Sequence, residues 1–318
     1  MSKSDKGRDV NGILVVDKPS GLTSNGVVSR LKRLSNAKKV GHTGSLDPMA
    51  TGVLPVVFGE ATKFSQYGLD ANKGYLARVQ LGSTTNTLDA DGDVILVKPI
   101  PELTEHIIVA ALDSLTGSLM QIPPMVSALK YRGKPLYRWA RQGQEIERPP
   151  RAIQILSNKL VRFDAGEGWI DINVRCSKGT YIRSLAESIG KSLGTVAHLS
   201  RLRRNLSGGF SLDQAQPWSA IESQQKRGYA TLESSLLPID AILSQFPRIE
   251  FTDNECITLI KGQKVSGKGV DVCDTMRAYF TGGPFVGLVS VDSNGIISAK
   301  RMLSPAAAGM RGSPDSGQ

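Results

Sequence analysis

Cysteine and histidine are scarce: three of each occur in 318 residues, at 176, 256 and 273 and at 42, 106 and 198. They lie so far apart that no CxxC pair or Cys/His cluster forms, and an odd number of cysteines makes no disulfide framework. No structural or catalytic metal is expected. No apolar run approaches the ~20 residues that a spanning helix needs. The N-terminal MSKSDKGRDVNG has no apolar core of the signal-peptide kind, so a cytoplasmic location and no membrane partner are expected. Neither GxxxxGK[ST] nor a GxGxxG at a strand–helix junction occurs, which removes the usual nucleotide-binding signatures. No cofactor is expected.

What the chain does have is positive charge. Lys plus Arg number 39 against 29 Asp plus Glu, a net +10, and a balance of this size draws polyanions. With 40% hydrophobic residues the chain is long enough for a sizeable core and two domains. Residues 1–11 and 304–318 are rich in small and polar residues and read as tails. The apolar run 13–16 reads as a buried strand ending at Asp17-Lys18-Pro19. Thr23 or Ser24 is placed to cap a helix carrying Val27, Val28, Leu31 and Leu34 on one face and Arg30, Lys32 and Arg33 on the other. Residues 73–81 and 169–176 alternate with period two and read as half-buried antiparallel strands. Ile182, Leu185, Ile189 and Leu193 mark an amphipathic helix that stops before Gly194. The expected fold class is α+β: a mixed, largely antiparallel sheet with flanking helices over 12–247, and a small β-rich domain over 248–303. In that second part, 286–291 and 296–301 are joined by Asp-Ser-Asn-Gly, a hairpin signal. Its charge is nearly balanced, so it reads as an auxiliary contact separate from the chemistry.

Residues 124–151 carry seven basic residues, Lys130, Arg132 and Arg138 among them, against Glu145 and Glu147, with Tyr131, Tyr137 and Trp139 interleaved. Cations for phosphates and aromatics for bases or riboses make an RNA-gripping insertion; the plainer alternative is a solvated loop. Residues 27–39 and Arg201-Leu202-Arg203-Arg204 are further candidate positive walls, with Arg203 and Arg204 as RNA contacts.

Asp47 sits in Gly44-Ser45-Leu46-Asp47-Pro48. Pro48 biases it away from the helical region, and the glycines at 41, 44 and 52 let the loop bend around it. That presents a carboxylate on a constrained loop, where catalytic groups often lie. An Asp-Pro pair in such a loop is, by itself, more often only a turn.

The segments GILVVDKPSGLTSN (12–25), GHTGSLDPMATGVLP (41–55), GEATKF (59–64), LDADG (88–92), IPPMVSALK (122–130), CSKGTYIRSL (176–185) and LRR (202–204) occur together in this order. The set resembles the TruB family of tRNA pseudouridine-55 synthases over most of 12–240, and 248–303 looks like that family's PUA-type RNA-binding domain. The resemblance implies an isomerase that turns uridine 55 of the tRNA T-loop into pseudouridine. Asp47 then matches the catalytic aspartate, Tyr75 a tyrosine that stacks on the target base, and Arg183 an arginine paired with the aspartate. His42, Tyr181 and Leu202 match positions lining the base pocket, and Asp89 lies in another family motif. Ser45 and Met49 are conservative departures; Asn86 stands where an acidic residue is common. The implied partner is the T-arm of tRNA, with no obligatory protein partner and a monomeric enzyme. A non-catalytic RNA-folding factor and an rRNA-modifying relative are the alternatives. The intact Asp47–Tyr75–Arg183 set favours an enzyme over the first, and the lack of long basic tails disfavours the second.

Overall fold

The computed structural model describes residues 7–266 and 269–309. Strands β1 (Gly12–Lys18), β2 (Val40–His42), β3 (Thr51–Phe58), β4 (Lys73–Leu81), β5 (Gly117–Gln121), β6 (Arg151–Asp164), β7 (Trp169–Cys176), β8 (Ala197–Ser207), β9 (Phe210–Ser211) and β10 (Gln216–Pro217) form one ten-stranded sheet. Its order is β10-β1-β3-β8-β4-β7-β6-β5, with β2 on β3 and β9 on β8. Only the β1–β10 and β3–β8 pairs are parallel. The mixed, mainly antiparallel sheet agrees with the expected class.

Helices over 24–35, 105–114 and 182–192 contribute to the apolar core on one face of this sheet. Thr23 caps α1 (Ser24–Ser35) by accepting the Gly26 amide, and Val27 and Leu31 are fully buried beneath it. The helix ends at Asn36 in the left-handed conformation, which asparagine tolerates. The short α2 (Ser65–Asp70) precedes β4, and α3 (Glu105–Ser114) precedes β5. Leu136–Ala140 forms α4 within the basic insertion. Residues Ile182, Leu185 and Ile189 of α5 (Ile182–Ser192) pack against Ala77, Val79, Ile170, Ile172 and Val174 in one apolar core.

The other face carries a second core. Strands β11 (Arg248–Phe251), β12 (Val265–Ser266), β13 (Cys273–Phe280), β14 (Phe285–Val291) and β15 (Ile296–Met302) make a five-stranded sheet ordered β11-β13-β14-β15-β12. The expected Asn-Gly turn joins β14 to β15. Side chains of this sheet share an apolar cluster with Ile13, Val15, Val53 and Val57, the outward residues of β1 and β3.

Of the two segments read as tails, 1–6 and 310–318 lie outside the described residues. Within the described remainder some residues are packed and others, such as Asp9, Asn11, Pro305 and Ala306, are exposed. Val10 is 3% exposed, Arg8 bridges to Ala37 and pairs with Glu233, and Ala308 is 1% exposed.

Candidate active site

The loop from β2 to β3 holds Asp47 rigidly because each neighbouring peptide is pinned. The Ser24 hydroxyl accepts the Leu46 amide at 2.8 Å and donates to the Leu46 carbonyl at 3.2 Å. On the other side, the Pro48 carbonyl accepts from the Gly21 amide at 2.9 Å and from Lys18 Nζ at 3.2 Å. Lys18 also donates to the carbonyls of Pro19 and Leu22. It is fully buried, and burial pushes its ammonium down to about 8. Arg204, 1% exposed, reaches from β8 and donates to the carbonyls of Gly44, Ser45 and Val53. Gly52 makes that approach possible: its φ is +103°, and a Cβ there would lie 2.2 Å from the Arg204 carbonyl oxygen.

Arg183, the second residue of α5, meets Asp47 across 136 positions of sequence. Its Nη2 donates to Asp47 Oδ1 at 3.1 Å, and its Nε lies 3.0 Å from Oδ2 in ion-pair contact without an aligned hydrogen bond. The guanidinium is 4% exposed and the Asp47 carboxylate 33%, so one member is fixed and the other opens to the cleft. Arg183 Nη1 also lies 3.4 Å from Asp89 Oδ2 and donates to the Thr87 carbonyl, while Nη2 donates to the Val126 carbonyl. Leu88, at φ +62°, turns the 87–91 segment so that these acceptors converge. Arg183 is therefore a buried partner of two carboxylates although it stands at a helix start. Burial pushes the Asp47 carboxyl above its ordinary range; Arg183 pulls it down, and Asp89 and Asp91 push it up.

Tyr75, on β4, is 8% exposed, and burial pushes its phenol up while contact with the Arg204 guanidinium pulls it down. It stays a neutral ring at physiological pH. Asp47, Tyr75, Tyr181, Arg183 and Leu202 line one cleft of about 370 Å³. Gln121 holds Tyr181 in place by accepting its amide at 2.8 Å and donating to its carbonyl at 3.0 Å. Lys73 also lines the cleft, with Nζ on the carbonyls of Gly68, Leu69 and Ala71; burial, then repulsion by Arg204, brings its ammonium down to about 8.

A second cleft, about 630 Å³, shares Ser45, Leu46 and Asp47 with the first and runs to Tyr137 and Arg141 of the insertion. Lys130, Arg132 and Arg138 belong to that insertion and form no ion pair among the described residues. Arg132 lies over Tyr131 and Lys134 over Trp139, while Tyr131 and Trp139 meet edge to face at 6.0 Å. Tyr137 and Arg141 line the cleft, with Arg141 over the Tyr137 ring.

Three of the expected positions are engaged within the protein. Arg204 lines the first cleft but is 1% exposed, with its guanidinium engaged on loop carbonyls. Arg203 points to the opposite face and is held by Asp17 at 2.8 and 3.1 Å. His42 is not among the residues lining either cleft; its Nδ1 accepts the Gly44 amide at 3.2 Å and so shapes the loop. Lys18, Ser24 and Lys73 were not anticipated. The first two stand inside the DKPSGLTSN segment that carries part of the family resemblance, which is the signal that marks them.

Residues 32–182 match the TruB family pseudouridylate synthase N-terminal domain, and 183–244 match the tRNA pseudouridylate synthase B C-terminal domain. A tRNA pseudouridine synthase B of Saccharophagus degradans is 43% identical over 304 residues, covering 94% of this chain and 97% of that protein. The protein of that name in Chromohalobacter salexigens is 44% identical over 308 residues, covering 96% and 98%. Among solved structures, a chain of a Cbf5–Nop10–Gar1 complex superposes with TM-score 0.71 at 23% identity, over 95% of this chain and 91% of that one. That likeness concerns the fold.

Proposed function

Because the chain belongs to the TruB family of pseudouridylate synthases, we propose that it isomerises uridine 55 of the tRNA T-loop, with Asp47 as the nucleophile. The chain is accordingly an isomerase that makes pseudouridine in tRNA. The observation that carries the finer reading is the Asp47 carboxylate, locked on a buried guanidinium and open to a cleft floored by Tyr75.

The reaction breaks the N1–C1′ bond, turns the uracil, and joins C5 to C1′; C5 loses a proton and N1 gains one. An ionised carboxylate has two points of attack, C1′ and C6. Either requires the negative charge, which Arg183 favours against the cost of burial. A planar, permanently charged guanidinium suits this better than an ammonium. Tyr75 offers a flat surface for the detached base, and its neutral hydroxyl is available to carry a proton. The uridine must leave its stack to reach the cleft. The cations and rings of 130–141 support a grip on the RNA around it. No redox step or group donor enters this scheme.

The test is to incubate the purified protein with an unmodified tRNA transcript and map pseudouridine by carbodiimide primer extension. A single stop at position 55 is expected. Modification at another uridine, or none, would overturn the assignment.

A further inference from the structure

The face of the sheet opposite Tyr75 carries arginines that the catalytic reading does not use, in a cleft that Met49 and Leu202 also line. Adjacent residues of a strand point to opposite faces. On β8, Leu202 and Arg204 pair with Ala77 and Tyr75 on the catalytic side, so Arg201 and Arg203 pair with Arg78 and Leu76 on the other. There Arg78, Arg162, Arg201 and Arg203 line a cleft of about 470 Å³ together with Asp171. Arg78 donates to both Asp171 oxygens at 2.7 and 2.8 Å, and Arg162 Nε donates to Asp171 Oδ2 at 2.8 Å. One carboxylate thus fixes two guanidiniums side by side, with Arg78 stacked 3.7 Å from the Trp169 ring centroid. Asp17 answers Arg203, and Arg201 is exposed with no ion pair among the described residues. Four arginines face two carboxylates. Arg78 Nη1, both Nη groups of Arg162 and the whole Arg201 fork make no side-chain hydrogen bond among the described residues.

We propose that this arginine-lined cleft is a second RNA-binding site, which takes the phosphate backbone of a tRNA segment outside the T-arm. Preorganised guanidinium forks match phosphate oxygens, and two of the four arginines carry charge that no carboxylate here offsets. The occupant is RNA because of where the cleft lies. It opens on the face where β1 and β3 pack against the 248–303 sheet, so a molecule reaching round the edge from the catalytic cleft meets this face and that sheet together. The four arginines lie on the side of β8 and its partner strands opposite Tyr75, so a stem-loop held in the Asp47–Tyr75 cleft would not be placed to neutralise them, which assigns them to the remainder of the tRNA. This rests on tRNA being the substrate.

The experiment uses the full chain carrying Arg162→Gln and Arg201→Gln. Asp171 keeps its Arg78 partner in this variant, so the sheet is not left with an unpaired carboxylate. Kd against salt is measured for full-length tRNA and for an isolated T-arm stem-loop, with the single-turnover rate at saturating stem-loop. Affinity for full-length tRNA should fall about tenfold and the salt slope by about one to two, the size expected when one or two phosphates are no longer neutralised. Stem-loop affinity and rate should stay unchanged. An unmoved slope on full-length tRNA would overturn the site, and equal weakening on both RNAs would overturn its assignment to a segment beyond the T-arm. Failure of the substrate reading itself shows separately, as a wild-type protein that makes no pseudouridine in either RNA.

Discussion

Arg183 stands between the carboxylates of Asp47 and Asp89, nearly closed to solvent, and this position defines what its removal does. Burial, Asp89 and Asp91 all push the Asp47 carboxyl upward, and Arg183 opposes them. In Arg183→Met only the upward influences remain. The proton then stays on Asp47 to higher pH, and the acid limb of the single-turnover rate must move to higher pH. At neutral pH the rate should fall at least ~100-fold, near 3 kcal/mol at 1.36 kcal/mol per tenfold. Arg183→Lys should recover only part of it, since an ammonium lacks the fork. A wild-type rate with an unmoved acid limb would refute the pairing. The residue types of this pair were legible in the chain, through the GSLDP and GTYIRSL segments that carry the family resemblance. Their contact was not: no spacing rule joins positions 136 apart. The buried lysines were equally illegible, because lysine inside a fold is uncommon and only the carbonyls gathered around Lys18 and Lys73 explain it.

At the scale of elements, alternation made β4 and β7 readable, with Tyr75, Ala77 and Val79 on one side of β4 and Ile170, Ile172 and Val174 on one side of β7. Strand β8 shows where such reading stops. The run RLRR looks uniformly basic, yet its members divide between the two faces of the sheet. Irregularities between Leu199 and Arg201 and between Arg204 and Leu206 set which of them turn inward, and composition does not foretell a bulge. Hence Arg204 became a clamp on the Asp47 loop and Arg203 a partner of Asp17. The insertion was easier, because exposed cations interleaved with aromatics have no place in a core. The edge run at 94–97 was not foreseen as exposed, although Val94 and Val97 are 58% and 70% accessible. Neutralising Lys130, Arg132 and Arg138 together should weaken tRNA binding and flatten its salt dependence, by at most about one unit of slope for each phosphate these cations neutralise. If titrations at several salt concentrations give parallel lines for the variant and the parent, these residues do not touch phosphate.

Across the whole molecule, the 248–303 sheet is less separable than its change of character at residue 247 implied. Phe285 stacks edge to face on Phe64 at 5.6 Å. Lys63 donates to the Met302 carbonyl, and the Ser304 amide donates to Glu60. The outward apolar residues of β1 and β3 close the same cluster. A chain cut at 247 would expose that face, and each large apolar side chain uncovered costs about 1.5–3 kcal/mol. Thermal melts should place the truncated chain at least about 10 °C below the full one, at about 2–4 °C per kcal/mol. Equal melting temperatures would show that the interface adds nothing. The catalytic body and its partner sheet exist, on this view, to hold one carboxylate in a cleft that RNA can enter. Asp47→Asn changes that carboxylate while keeping its size and nearly all its surroundings. Single-turnover conversion of a tRNA transcript, measured beside the Kd of the same variant, should show pseudouridine formation abolished and binding kept within a few-fold. Turnover above about 1% of the parent, a barrier rise under ~3 kcal/mol, would contradict Asp47 as the nucleophile.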